Sequence, residues 1–174
     1  ASVEFKNVKA LDAIDIPKRD TLFSAGKIAL SFNIFDLFKG NYDIHRIVAE
    51  DAKLNVWIDK NGKDNYHFLK PSDDTLQADT GHVAFVLESI ELKNIKVHYR
   101  DRRTKSELHI DLNEATCSGD FTDEKFTLHT QVGFYVHQLK SGKTTYFSEN
   151  SGTLELDAEV DQVAGSYTFE KCRL

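Results

Sequence analysis

Seven histidines, two cysteines and 28 acidic residues supply the side chains that metal binding or acid–base catalysis would draw on. Their spacing decides whether they are used. His82, His98, His109, His129 and His137 fall in or beside stretches where polar and apolar residues alternate, the pattern of a sheet with one solvated face. Nothing has HExxH-like spacing, and no set of ligands is brought to one point by sequence alone, so no metal and no other cofactor is expected. His129 and His137 share a strand face only if no bulge intervenes. The nucleophile elbow, the phosphate-binding loop and the dinucleotide fingerprint are absent, and no spacing pairs two carboxylates. The chain therefore reads as non-enzymatic. Cys117 and Cys172 either pair in an oxidising compartment or stand as two free, half-buried thiols. The basic run RDRRTK at residues 100–105 is either a solvated turn or a contact for lipid headgroups.

The elements that hold these residues announce themselves by repetition. The segment VEFKNVKA at residues 3–10 returns as IELKNIKV at 90–97, with a weaker copy, IVAEDAKL, at 47–54. A period of about 44 residues signals an array of one supersecondary unit. In each copy the apolar residues alternate and then change phase: Val3 and Phe5 give way to Val8 and Ala10, Ile90 and Leu92 to Ile95 and Val97, and Ala49 to Ala52 and Leu54. Since strand side chains alternate faces, an uncorrected slip would turn the apolar set toward water. One extra residue, a β-bulge at Asn7, Asp51 and Asn94, would repair it, and Asn and Asp tolerate the left-handed backbone such sites need. A loop between two short strands is the other reading.

Most of the rest alternates too. Ile28, Leu30, Phe32 and Ile34 form one such series, and Val83, Phe85 and Leu87 another. Similar series run through residues 108–112, 126–136, 154–160 and 167–169. One apolar and one wet face indicate an antiparallel sheet covered on one side only. Turn signals stand at residues 59–62, 100–105, 140–143 and 149–152. Residues 33–40 read as a short capping helix, with Asn33 as N-cap, Gly40 as stop and Ile34, Leu37 and Phe38 on one face. Trp57 is out of phase with Leu54, Val56 and Ile58 and should face away from the main apolar side. Residues 71–81 are polar, acidic and aperiodic, and divide an N-terminal unit, 1–70, from a C-terminal unit, 82–174. The expected fold is mainly β: a bent antiparallel meander of repeating units with one capping helix near 33–40.

The composition, 40% hydrophobic and 29% charged, is that of a folded chain, and a net charge of −6 argues against nucleic acid as a partner. No apolar run is long enough to span a bilayer. A chain that opens at Ala1 and holds no Met reads as a processed product or an excised fragment.

The order of motifs across residues 3–70 resembles the AsmA family of bacterial envelope proteins. The alternating IALSF at 28–32 leads into FDLFKGNY at 35–42, which is similar to that family's leucine-rich turn closing on Gly-x-Tyr. IVAEDAKL at 47–54 resembles its I-x-L-x-D-A-x-L strand, and Asp59, Gly62 and Asn65 resemble its Asp-x-x-Gly-x-x-Asn turn. The strand at 90–99 restarts the pattern; from Leu108 onward the likeness is to generic strands only. The resemblance implies a periplasmic protein held in the inner membrane by an N-terminal helix lying upstream of Ala1. It also implies a β-groove of the bridge-like lipid-transfer kind, whose apolar face holds phospholipid acyl chains in outer-membrane biogenesis.

On that reading the groove is lined by Ile28, Leu30, Phe32, Leu54, Val56, Ile58, Val83, Phe85, Leu87, Ile95 and Val97. The same alternation also fits a closed β-sandwich or barrel acting as a structural or protein-interaction scaffold.

Overall fold

The alternating segments are strands. A computed structural model of the chain describes residues 1–12, 20–32, 44–66, 87–121 and 123–174. Within these, eight strands run in chain order: β1 (Ser2–Leu11), β2 (Thr21–Phe32), β3 (Ile44–Ile58), β4 (Ser89–Asp101), β5 (Ser106–Ser118), β6 (Lys125–Ser141), β7 (Thr144–Asp161) and β8 (Ser166–Arg173). They form a single open sheet in the order β1-β2-β3-β4-β5-β6-β7-β8. No helix occurs among the described residues. The helix expected at residues 33–40, the connector at 71–81, and His82, Val83 and Phe85 lie outside them.

The meander is broken once. Every neighbouring pair is antiparallel except β3 and β4, which are parallel. A parallel pair needs a crossover of a dozen or more residues, and the long stretch between Ile58 and Ser89 holds the polar break seen in the sequence. The parallel pair also explains the repeat. The second and third copies lie side by side in matching register, Ile47 on Ile90, Ala52 on Ile95 and Leu54 on Val97. The first copy sits one strand further out, with Val3 and Ile47 flanking Leu30 from either side.

The phase slips have a backbone cause. Asn7, Asp51 and Asn94 all adopt left-handed conformations, with φ of 53°, 53° and 54°. They are not one-residue bulges, however. Lys6 pairs with Lys27 and Val8 with Ala25, so no residue is inserted; Asn7 stands opposite Gly26, and Gly26 in turn faces Asp51. Neighbouring strands slip at the same level, which keeps pairing intact while both apolar sets change phase together. A Cβ on Gly26 would lie 3.1 Å from the Asp51 Cβ, so the row is crowded at this point. Asn94 Nδ2 donates to Asp51 Oδ1 at 2.6 Å and ties the row across the parallel pair. The slip ends at β5, where Asn113 is an extra residue against β6: Leu112 pairs with Phe134 and Glu114 with Gly133.

One turn signal was misleading. Residues 149–152 do not separate strands but lie inside the 18-residue β7. Glu149 takes φ 52° there, and Gly152 is small because the Phe134 ring lies over it: an added Cβ would stand 2.8 Å from Phe134 Cζ.

Candidate functional site

Cross-strand register lines up apolar residues into rows that run nearly the width of the sheet. One row is Ala10, Phe23, Leu54, Val97, Ile110 and Val136. The next is Val8, Ala25, Ala52, Ile95, Leu112 and Phe134, and beyond the kink comes Phe5, Ile28, Ala49, Leu92, Ala115, Val132 and Leu154. Because the kinks flip each strand in step, these rows occupy one face. Ala25, Ala49, Ala52 and Ile95 form its buried centre, with Val8, Phe23, Ile28, Leu92, Val97 and Leu112 packed around them.

The face lacks a second layer among the described residues. Among the described residues twelve apolar ones are buried, of which five are alanines and none is aromatic, and the largest side chain fully buried there is the polar Asn65. A closed sandwich buries its large residues against an opposing sheet; here the alanines and a few aliphatic side chains are buried by their neighbours, while the aromatic ones stay partly exposed. Val3 and Phe5 on β1 and Tyr167 and Phe169 on β8 are exposed outright.

Toward the end of β3 the face deepens into a trough of roughly 600 Å³ lined by Ala10, Leu22, Phe23, Leu54, Val56, Tyr66 and Tyr99. That is within the size range of small-molecule sites, about 300–1,000 Å³. Leu22 reaches it as an extra residue of β2, since Ala10 pairs with Phe23 but Leu11 pairs with Thr21.

The trough's end is built by the Asp59, Gly62, Asn65 motif. Asp59 Oδ1 accepts from Asn61 N at 2.7 Å and Lys63 N at 2.9 Å, and Gly62 turns the chain at φ 89°. Asn65 then behaves as a strand residue made of side chain: Oδ1 accepts from Trp57 N at 2.9 Å, and Nδ2 donates to Asn55 O and to Asp12 Oδ1, both at 2.8 Å. Beside it the basic turn is fixed by Asp101, whose carboxylate accepts from Arg103 N at 2.8 Å and Arg103 Nη2 at 3.1 Å. The guanidinium holds the Asp101 carboxyl below the usual range. Its own pKa is raised, chiefly by Asp101 and to a smaller degree by Tyr99 and Tyr66, which line the trough. Arg102 is exposed on the same turn, whereas Arg100 is exposed within β4, on the face of its partner Trp57.

Of the residues expected in a groove, Leu54 and Val56 line the trough. Ile28, Ile95 and Val97 belong to the apolar centre and its surround; Leu30 shares a row with Val3, Ile47 and Ile90. Phe32 is half-buried at the end of β2, and Ile58 is buried at the end of β3. Leu87 is half-buried before β4 rather than in a strand. Phe23 and Ala25 were missed because β2 begins earlier than its clean alternation: the same phase slip occurs there at Gly26, with no Asn or Asp to mark it. Trp57 keeps the opposite phase, beside Arg100.

The two cysteines are free. They share one row, Cys117 on β5 and Cys172 on β8, with Thr130 and Leu156 between them. Three strand spacings of about 4.8 Å separate them, twice what a disulfide spans. Cys117 is half-buried and Cys172 exposed.

The opposite face is polar and self-complementary. Lys27 meets Glu50 at 2.9 Å, Lys125 meets Asp161 at 2.8 Å, and His129 meets Asp157 at 2.9 Å. Exposed pairs of this kind stabilise little, about 0–1 kcal/mol each, but they keep this face wet and the other one dry. No family model matches the chain, and no curated protein matches it.

Proposed function

We propose that the chain is a non-catalytic module that shelters lipid acyl chains on its apolar sheet face. The observation that carries this reading is the uncovered face itself: rows of apolar residues crossing neighbouring strands, deepening at Leu54, Val56 and Tyr99, with no opposing layer among the described residues. The true bulges at Leu22, Asn113 and His137 support a bent, groove-like surface, since bulges add local twist. The basic turn supports a phospholipid in particular. Arg103 stands next to the tyrosines of the trough, and the exposed Arg102 precedes it on the turn, where a phosphate could meet both.

Magnitudes favour passage over storage. Burying one methylene fully contributes about 0.8 kcal/mol. An open face covers only about half of a chain, so a sixteen-carbon tail gains about 6 kcal/mol before the cost of immobilising it. That is enough to hold a tail and too little to trap it. Together with the AsmA-like order of motifs, this suits a segment of a periplasmic lipid conduit, anchored at the inner membrane by sequence upstream and serving outer-membrane biogenesis.

The test is lipid content. The purified chain should carry phospholipid detectable by mass spectrometry after organic extraction. Leu54→Glu and Val56→Glu each place a carboxylate in the trough and should lower that load severalfold while circular dichroism stays unchanged. Undiminished loading in both folded variants would remove the apolar face from the function.

A further inference from the structure

The polar face holds a second arrangement, independent of what the apolar face carries. Spacing along the chain sets no ligands together, but the sheet does. His109 and Asp111 are two apart on β5 and so point to the same side. His137 arrives from β6 by a bulge: His109 pairs with Gln138 and Ile110 with Val136, leaving His137 as the inserted residue. Bulges re-aim side chains, and this one stacks the His137 ring on His109, centroids 4.4 Å apart. It also brings His137 Nε2 to 3.2 Å from Asp111 Oδ2. Ligand atoms of His109, Asp111 and His137 all lie within 4.8 Å of one another.

We propose that His109, Asp111 and His137 bind a divalent first-row transition ion of the Zn²⁺ class. Two imidazoles and one carboxylate are a ligand set suited to such ions. Around a tetrahedral ion with bonds of about 2 Å, ligand atoms stand roughly 3.3 Å apart. The His137–Asp111 pair already has that separation, and His109, exposed at the surface, closes the third side by turning its ring.

Two further features point to a ligand. Asp111 Oδ1 is buried with no hydrogen-bond partner among the described residues, which a carboxylate tolerates poorly unless a cation satisfies it. Behind His137, Glu149 sets Oε1 at 4.0 Å from Nδ1, and Tyr135 in turn holds Glu149 through a 2.5 Å hydrogen bond. At 4.0 Å this is a charge pairing rather than a hydrogen bond; a closure of about 1 Å would give the ring N–H to carboxylate bond that orients a metal-bound histidine. Glu149 reaches this position from a left-handed backbone. The opposing group is Lys96, with Nζ 3.9 Å from Asp111 Oδ2; its side chain is half exposed and free to swing outward. His98, 5.6 Å from the His109 ring and bonded to Glu107, completes the surroundings.

The experiment is calorimetric titration of the untagged 174-residue chain with Zn²⁺ alone at neutral pH. One ion per chain should bind. His109→Gln, Asp111→Asn and His137→Ala should each weaken binding by tenfold or more, and Glu149→Gln by about tenfold. Lys96→Met should tighten it, an effect that a purely structural histidine stack would not give. His129→Ala, on the same face at the His129–Asp157 pair, should leave it unchanged. His109→Gln and Asp111→Asn leave the β6 bulge untouched, so a folding defect confined to His137→Ala does not blunt the test. Absence of a saturable one-to-one site, or a site that survives both His109→Gln and Asp111→Asn, overturns the proposal.

Discussion

At the scale of single residues, stability concentrates where polar side chains stand in for backbone. Asn65 is wholly buried, and three hydrogen bonds use both amide hydrogens and one lone pair of its oxygen. Asn65→Ala strips partners from Trp57 N–H and Asn55 C=O and leaves the buried Asp12 carboxylate without its donor. Unsatisfied buried groups cost about 1–3 kcal/mol each, so a loss of about 3 kcal/mol in urea unfolding is expected. Asn65→Asp should fare no better, because Nδ2 is the atom that donates twice. Asp101 makes a pH prediction. Arg103 lowers its carboxyl pKa in the folded state. Its contribution is therefore present above the unfolded carboxyl's value, about 3.9, and disappears as pH falls through the folded value. Thermal scans between pH 6 and pH 3 should show a shallower acid decline for Asp101→Asn than for the parent chain; parallel curves would mean that the turn is not electrostatically held.

At the scale of elements, the left-handed residues are the devices that let long strands keep one face apolar. Asn7 is exposed on the outer strand at φ 53°. Asn7→Gly should be near neutral, whereas Asn7→Val should cost roughly 1–2 kcal/mol because a Cβ-branched residue is strained there. Equal stability of the two would show that the kink follows from pairing alone. These kinks were legible in the sequence because they interrupt alternation at Asn or Asp three times. The matched slip on the partner strand was not legible, since Gly26 looks like an ordinary strand residue until its neighbour Asp51 is seen to crowd it. Glu149 misled for the converse reason: its surroundings, Glu-Asn-Ser-Gly, carry turn chemistry, yet Phe134 covers Gly152 and the strand runs on. The parallel β3–β4 pair was hidden as well. Periodicity reports which face a side chain takes and is silent on strand direction. The trough was half visible for the same reason: Leu54 and Val56 alternate cleanly, while Phe23 and Leu22 lie on the irregular start of β2 and Tyr99 arrives from another strand.

At the scale of the whole molecule, a single open sheet with one dry face and a closed core make different demands on a bound alkyl chain. In a closed cavity each added methylene is enclosed on all sides and gains about 0.8 kcal/mol, close to fourfold in affinity, until the cavity is full. On an open face about half of each methylene is covered, and the gain falls to about 0.4 kcal/mol, close to twofold. The apolar rows continue from the trough across β4, β5 and β6 through Val97, Ile110 and Val136, so no wall ends the gain at the trough's edge. Lysophospholipids of increasing chain length, titrated below their micelle concentrations against a fluorescent fatty-acid probe, should give a shallow and continuous rise in affinity. Leu54→Glu should reduce the affinity of every member, while Ile110→Glu, in the same row but one strand beyond the trough, should weaken only the longer chains. A steep rise that stops abruptly at one length would instead describe an enclosed pocket, and affinities indifferent to chain length would mean that headgroup charge at the Arg102 and Arg103 turn does the binding.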